Sequence, residues 1–292
     1  MRNIIKLTRP YQWVKNAFIF MPLFFGGALT DFGALTRAVI AFFAYSFAAS
    51  AIYCYNDIID VEDDRRHSVK CKRPIASGAL SVTMGYFIMV VMIALSVLMV
   101  ALLGDGWANL ACVIGFYLVL DLAYCRVLKR FAIVDVCVLA FGFVLRIIAG
   151  SVSTGVVASQ WLVLMTFLLT LLLSFAKRRD YVLKMIATGE APRHNTHRYN
   201  MSFINQSITV TASVTVGCYI MYTMSPEVAA RTNFEYVYLT TIFVILGLLR
   251  YMQRTLVDEK SGDPTKLLYG DRFLQIVIAL WFLSYLRAIY IL

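Results

Sequence analysis

The feature that most constrains this chain is the recurrence of apolar runs as long as a bilayer is thick. The stretch "VTMGYFIMVVMIALSVLMVALL" (82–103) holds no charged residue. Crossing a hydrocarbon core takes roughly 20 apolar residues as helix. With no water there to satisfy backbone groups, a crossing segment is helical or part of a closed barrel. Nine such runs are read here: 14–31, 34–55, 80–103, 107–125, 131–150, 160–176, 203–223, 235–251 and 272–292. The expected fold is all-α, a polytopic membrane protein of nine transmembrane helices in one domain spanning 1–292. The first run is the least regular, broken by Pro22 and Gly26-Gly27. Only 15% of the residues are charged, against about 25% in a typical soluble domain.

The basic residues orient these spans. With the N-terminus inside, 23 of the 27 lysines and arginines fall on the inner connections; Arg37 and Arg231 lie outside, and Arg146 and Arg287 lie within spans. That is the positive-inside pattern, and it accounts for the net charge of +10 without a nucleic acid partner. It places the chain in a bacterial inner or plasma membrane with a cytoplasmic N-terminus. No cleavable signal is evident at the N-terminus. Six cysteines show no CxxC spacing and no Cys/His cluster, which argues against zinc and against a disulfide framework. The outer connections are short, "GDG" (104–106) and "SVSTGVVAS" (151–159), whereas the inner ones carry most of the polar chemistry. A span followed by a long charged connection occurs at 50–79 and again at 170–200, a weak internal echo.

Acidic residues crowd the same inner face. In "NDIIDVEDDRRHSVKCKRP" (56–74), five carboxylates precede five cations. If helix continues through 64, Asp57, Asp60 and Asp64 stand at i, i+3 and i+7 on one face. Three adjacent carboxylates repel, more so near a bilayer, and call for a cation. Oxygen ligands without His or Cys favour Mg²⁺, which binds one or two carboxylates and completes its shell with water and phosphate oxygens. Asn56 adds an amide at the same level. The plainer alternative is a solvated loop whose acids pair with Arg65, Arg66 and Lys70.

"NDIIDVEDD" matches N-D-x-x-D-x-x-x-D and resembles the first aspartate-rich motif of the UbiA superfamily of intramembrane prenyltransferases. "RPYQWVKN" (9–16), "HSVKCKRPIASG" (67–78), "LAYCRVLK" (122–129), "RIIAG" (146–150), "AKRRD" (176–180), "LLRY" (248–251) and "GDR" (270–272) then follow in order. Together they resemble the branch of that superfamily formed by the decaprenyl-phosphate phosphoribosyltransferases of cell wall arabinan synthesis. The resemblance implies a UbiA-like bundle with a cytoplasmic-side active site. It implies Mg²⁺-dependent transfer of 5-phosphoribose from phosphoribosyl diphosphate (PRPP) to a polyprenyl phosphate, with Asp57, Asp60 and Asp64 as metal ligands. Aromatic prenyltransferases carry a second motif, D-x-x-x-D. Here Lys177 and Tyr181 stand at its two acidic positions, and Lys177, Arg178 and Arg179 add charge. A donor with phosphate at both ends, and a phosphate acceptor, suit fewer acids and more cations.

Further candidates for substrate are Asn56, Lys70, Arg73, Tyr124, Lys129, Lys177 and Arg178, with Arg193 and Tyr199 as a covering loop. Lys15 is placed to reach a phosphate or to anchor at the interface beside Trp13. Asp121, Asp135 and Arg146, ionisable groups in or near spans, are read either as functional or as members of a structural pair, Asp135–Arg146 or Asp121–Lys129. His67, His194 and His197 lack metal-ligand spacing, and Arg250, Asp271 and Arg272 border the site. Two other functions stay open: prenyl transfer from a prenyl diphosphate to an aromatic or lipid acceptor, and cation transport. Against transport, the acids sit at a membrane boundary and not at the midplane. Lipid-facing and subunit-facing helices read alike, so a homo-oligomer is compatible with the sequence.

Overall fold

The computed structural model describes residues 2–66, 69–189, 194–231, 237–259, 267 and 269–291. Among them there is helix and no strand. Six helices are long and apolar enough to cross a membrane. The chain divides into two compact units, Met1–Lys129 with Gly142–Ala158, and Arg130–Phe141 with Ser159–Leu292. The echoing stretches 50–79 and 170–200 fall one in each.

The first unit contains α1 (Arg2–Thr8), a 3₁₀ helix (Pro10–Phe20), α2 (Met21–Phe25), α3 (Phe32–Ile59), α4 (Val61–Arg66), α5 (Val82–Ala101), α6 (Trp107–Arg126) and the larger part of α7 (Val134–Thr154). Helix α3 starts where Asp31 accepts from the amides of Gly33 and Ala34, and α5 where Ser81 accepts from Met84. In a membrane, helices gain little by burying apolar surface against each other, so small residues that allow close approach dominate contacts. Ala38, Ala41, Ala44 and Ala48 of α3 are accordingly sealed from solvent, and α3 packs mainly on α5 and α6.

The run expected as a span over 14–31 is instead the 3₁₀ helix and the short α2. Pro10 and Pro22 each sit at the start of one of these segments, and Gly26 closes α2. The segment is held by polar contacts along α3. Trp13 Nε1 donates to Ser50 Oγ (3.0 Å), and Asn16 Nδ2 donates to Ser46 Oγ (2.8 Å). Arg146 Nε donates to the other atom of the Asn16 amide (2.7 Å). Gly150 lets α7 press onto this segment, since a Cβ there would overlap the Ile19 carbonyl.

The second unit holds the start of α7, then α8 (Gln160–Thr188), α9 (Met201–Thr223), α10 (Pro226–Arg231), α11 (Thr241–Met252) and α12 (Arg272–Leu286). Leu172, Phe175, Ile204, Ile208, Leu248 and Leu274 form its core. The span expected over 203–223 is matched by α9, whose polar residues, Asn205 and Gln206 above all, keep it outside the six apolar helices. The one over 235–251 is a 3₁₀ turn (Val237–Thr240), the 12-residue α11 and a π-helical turn (Gln253–Val257). Arg179 caps that turn, donating to the carbonyls of Thr255 (2.8 Å) and Leu256 (3.2 Å).

Candidate active site

The acidic cluster lies in the first unit, where α3 ends. The helix stops at Asp60 (φ −89°, ψ 9°) and α4 resumes at once. The hydrogen bonds Asp60 N–H to Asn56 C=O (3.0 Å) and Asp64 N–H to Asp60 C=O (2.8 Å) carry the helical turn across the break. Asp57 and Asp64 are both 1% exposed. Arg73 joins them: its Nη1 donates to Asp57 Oδ1 (3.1 Å) and to Asp64 Oδ2 (2.6 Å). Lys70 stands 3.8 Å from Asp64. Burial pushes the Asp64 carboxyl above the ordinary carboxylate value, and Arg73 pulls it back only in part.

Arg9 is the residue that sequence reasoning missed. Its guanidinium donates to Asp57 Oδ1 and lies 5.3 Å from the centre of the Tyr53 ring. Arg9 has left-handed backbone (φ 50°), at the turn between α1 and the 3₁₀ helix. Pro10 disfavours right-handed helix at the residue before it, which helps to explain the turn. The signal was in "RPYQWVKN": Arg9, Trp13 and Asn16 recur at intervals of four and three. Their partners Asp57, Ser50 and Ser46 run the opposite way along α3. The whole segment therefore aligns Arg9 with Asp57.

Asp60 turns elsewhere, its Oδ1 accepting from Lys129 Nζ at 2.6 Å. That corrects the expected Asp121–Lys129 pair. The expected Asp135–Arg146 pair is also absent. Arg146 binds Asn16 and the Gly142 carbonyl (2.6 Å) and lies against the rings of Tyr45, Tyr117 and Phe143. Asn56 Oδ1 accepts from Cys125 Sγ (3.5 Å), Tyr124 is buried near the end of α6, and Lys15 is half-buried on the 3₁₀ helix. Glu62 and Arg65 form an exposed pair (2.9 Å), so the solvated-loop reading holds for them and fails for buried Asp57 and Asp64.

In this unit, then, three carboxylates meet four cations: Arg9, Lys70, Arg73 and Lys129. Among the described residues no group of three or more His, Cys, Asp or Glu is arranged to hold a metal ion. The set still fits Mg²⁺, which needs one or two carboxylates from the protein. Asp57 Oδ2 is buried with no hydrogen-bond partner among the described residues, an orphaned anionic atom suited to a cation.

The second unit's candidates separate. Lys177 is exposed, whereas Arg178 and Arg179 are buried. Arg178 Nε donates to Asp135 Oδ2 at 2.6 Å, and both side chains are sealed from solvent. Arg178, expected among the substrate ligands, is thus buried and paired through Nε, while its Nη1 and Nη2 have no hydrogen-bond partner among the described residues. Tyr199 donates its hydroxyl proton to Asp135 Oδ1 (2.7 Å) and accepts from the Ile133 amide (2.7 Å). Burial pushes its phenol above the ordinary tyrosine value. Asp180 pairs with Lys184 one turn on (2.8 Å). Asp271 accepts from Arg250 (3.0 Å) and lies 3.2 Å from Arg254, and the Arg250 hydrogen bond holds its carboxyl below the usual range. Arg193 and His67 lie outside the described residues.

Comparison with known proteins agrees with these features. The chain is 34% identical to a decaprenyl-phosphate phosphoribosyltransferase of Corynebacterium glutamicum over 291 residues, 99% of this chain and 87% of that protein. It is 32% identical to the Mycobacterium tuberculosis protein of the same name over 289 residues, 96% of this chain and 91% of that protein. A UbiA homolog from Archaeoglobus fulgidus, solved bound to DMAPP and Mg2+, shares the fold with a TM-score of 0.72 at 16% identity, covering 99% of this chain and 100% of that one. The sequence also matches the family described as UbiA prenyltransferase over residues 19–277. The chain is an integral membrane protein and belongs to the UbiA prenyltransferase family.

Proposed function

We propose that this enzyme transfers 5-phosphoribose from PRPP to a polyprenyl phosphate and releases diphosphate. The observation that carries this reading is the near-full-length likeness to relatives named for that reaction. The charge arrangement at the end of α3 supports it. Four cations around three carboxylates suit a substrate that brings several phosphate groups. Such a balance would be excessive for the acids alone.

The chemistry needs little covalent help from the protein. The bond from C1 of the ribose to the diphosphate oxygen breaks, and its electron pair leaves with the diphosphate. The transition state has oxocarbenium character, as in other glycosyl transfers. A non-bridging oxygen of the polyprenyl phosphate closes the new bond to C1. That oxygen is already ionised near neutral pH, so no strong general base is required. Positioning and electrostatic stabilisation supply the catalysis. Asp57 and Asp64, with Asp60 once it leaves Lys129, would hold Mg²⁺. The ion, when bound, supplies positive charge against the departing diphosphate. Arg9 and Arg73, which contact Asp57 here, would turn to the donor's phosphate oxygens. They bind the donor by charge-assisted hydrogen bonds, with Lys70 and Lys129 beside them. The family's general chemistry favours a second reading, prenyl transfer from a prenyl diphosphate.

One measurement separates the two. Purified protein in detergent is unfolded by heat with Mg²⁺ and either PRPP or geranyl diphosphate. Stabilisation by PRPP alone supports phosphoribosyl transfer, and stabilisation by geranyl diphosphate alone overturns it. Transfer of labelled phosphoribose to a series of polyprenyl phosphates then sets the acceptor's chain length.

A further inference from the structure

The second unit contains a cavity of about 730 Å³ that the proposed transfer does not use. It opens where α7 and α9 begin, at Val134 and Met201. Its polar lining comes from Arg130, Asn195, His197, Arg198 and Tyr199, and its apolar lining includes Phe131, Ile133 and Phe203. Of these, Asn195 and Tyr199 are buried and the others exposed, Phe131 at 55% and Ile133 at 51%.

Asn195 is the telling residue. Its side chain is 1% exposed, and both Nδ2 and Oδ1 lack a hydrogen-bond partner among the described residues. A buried amide with neither atom satisfied costs free energy unless a ligand supplies the missing donor and acceptor. The wall beside it is built rigidly. Ile133, a β-branched residue, has left-handed backbone (φ 69°), an outlier for its type. Its amide is fixed by Tyr199, whose hydroxyl is fixed by Asp135, which is paired with Arg178. Two helix N-termini add partial positive charge at the opening.

We infer that this cavity binds the headgroup of an anionic bilayer phospholipid bearing a hydroxyl, the chemistry of phosphatidylglycerol. Arg130 and Arg198 take the phosphodiester. Asn195 Nδ2 donates to a phosphate oxygen, and Asn195 Oδ1 accepts from the headgroup hydroxyl. Phe131, Ile133 and Phe203 lie against the start of the acyl chains. The charge and the apolar rim together favour a lipid over a free anion, because a soluble phosphate would leave the exposed aromatic and aliphatic rim without a partner. A site at the end of a membrane-length helix also lies where lipid phosphates are concentrated.

The test uses the full chain in detergent and follows thermal unfolding with added phosphatidylglycerol, phosphatidylcholine, inorganic phosphate or polyprenyl phosphate. Phosphatidylglycerol should raise Tm by about 5 °C at a hundredfold excess over Kd, and phosphatidylcholine should do much less. The double variant Arg130→Gln/Arg198→Gln should keep its Tm without lipid, because both side chains are exposed, and should lose at least half of the shift. Asn195→Leu should be no less stable without lipid, and should lose the preference for phosphatidylglycerol over phosphatidylcholine. Equal shifts with both phospholipids, or an unchanged shift in the double variant, overturn the inference. So does an equal shift with inorganic phosphate, which marks a free-anion site. A shift with polyprenyl phosphate at lower concentration than phosphatidylglycerol, lost in the same variant, assigns the cavity to the acceptor and also overturns it.

Discussion

Asp57 gathers two cations on one carboxylate oxygen and leaves the other oxygen buried, with no partner among the described residues. That asymmetry is poor economy for a purely structural ion pair and good preparation for a ligand. Asp57→Asn keeps the shape and removes the charge. Transfer should fall by a hundredfold or more, since charge stabilisation of several kcal/mol is at stake and about 1.4 kcal/mol is a factor of ten. The fold should survive, because Arg9 and Arg73 retain access to water. A variant with near-normal turnover would remove Asp57 from the chemistry. Arg178 makes the opposite case. Its partner Asp135 is 0% exposed, so Arg178→Met strands a buried carboxylate and should cost up to about 3–5 kcal/mol, tempered by the Tyr199 hydrogen bond. The double variant Asp135→Leu/Arg178→Met should recover most of that loss in a thermal unfolding series. If the single and double variants melt alike, the pair is not coupled.

At the scale of elements, the long helices were legible because an apolar run of bilayer length has few other outcomes. The N-terminal segment was not. Its composition resembles a span, while Pro10, Pro22 and Gly26 divide it, and its polar residues Trp13 and Asn16 find partners only once α3 exists. The acids of the candidate site were visible as a motif, with Lys70 as one partner, but their distant partners were not: Lys129 lies 69 residues from Asp60 and Arg9 lies 48 from Asp57. Such pairings depend on tertiary packing that local spacing does not encode. Gly150 belongs to the same class. Gly150→Ala should push the 3₁₀ helix away from α7 and loosen the Arg9–Asp57 alignment. Lower Tm together with a raised KM for PRPP is expected, and an unchanged KM would uncouple the segment from the site. The link between α11 and α12 has a pH signature. Asp271 both caps α12 through Leu274 N–H (3.0 Å) and pairs with Arg250. Its carboxyl is held below the usual value, so the folded state binds that proton less readily than the unfolded one. Its contribution is complete above the ordinary carboxylate pKa and is lost as pH falls through the lowered value. Asp271→Asn, which keeps a capping oxygen, should therefore melt earlier than wild type at pH 7. The two should converge as the solution is acidified below about pH 4.

For the whole molecule, the distribution of charge predicts which side of the membrane each end should face. Helix α5 has 20 residues and a rise of about 30 Å, enough to separate its two ends by a hydrocarbon core. At one end lies the acid- and cation-rich stretch around α4, and at the other the short connection Gly104–Asp105–Gly106. Lysines and arginines are enriched on the inner connections, so the α4 end is expected to face the cytoplasm and Asp105 the exterior. That orientation also suits the proposed chemistry if the charged, soluble sugar diphosphate is supplied from the cytoplasm, since it would then reach the site without crossing the bilayer. Asp105 and Glu62 are both exposed, which makes them suitable reporters. In intact cells, a membrane-impermeant maleimide should label Asp105→Cys above the background of the six native cysteines. Glu62→Cys should react only after permeabilisation. The reverse pattern would turn the molecule over and place the acidic cluster around α4 on the exterior. Equal labelling of both in intact cells would mean that α5 does not cross.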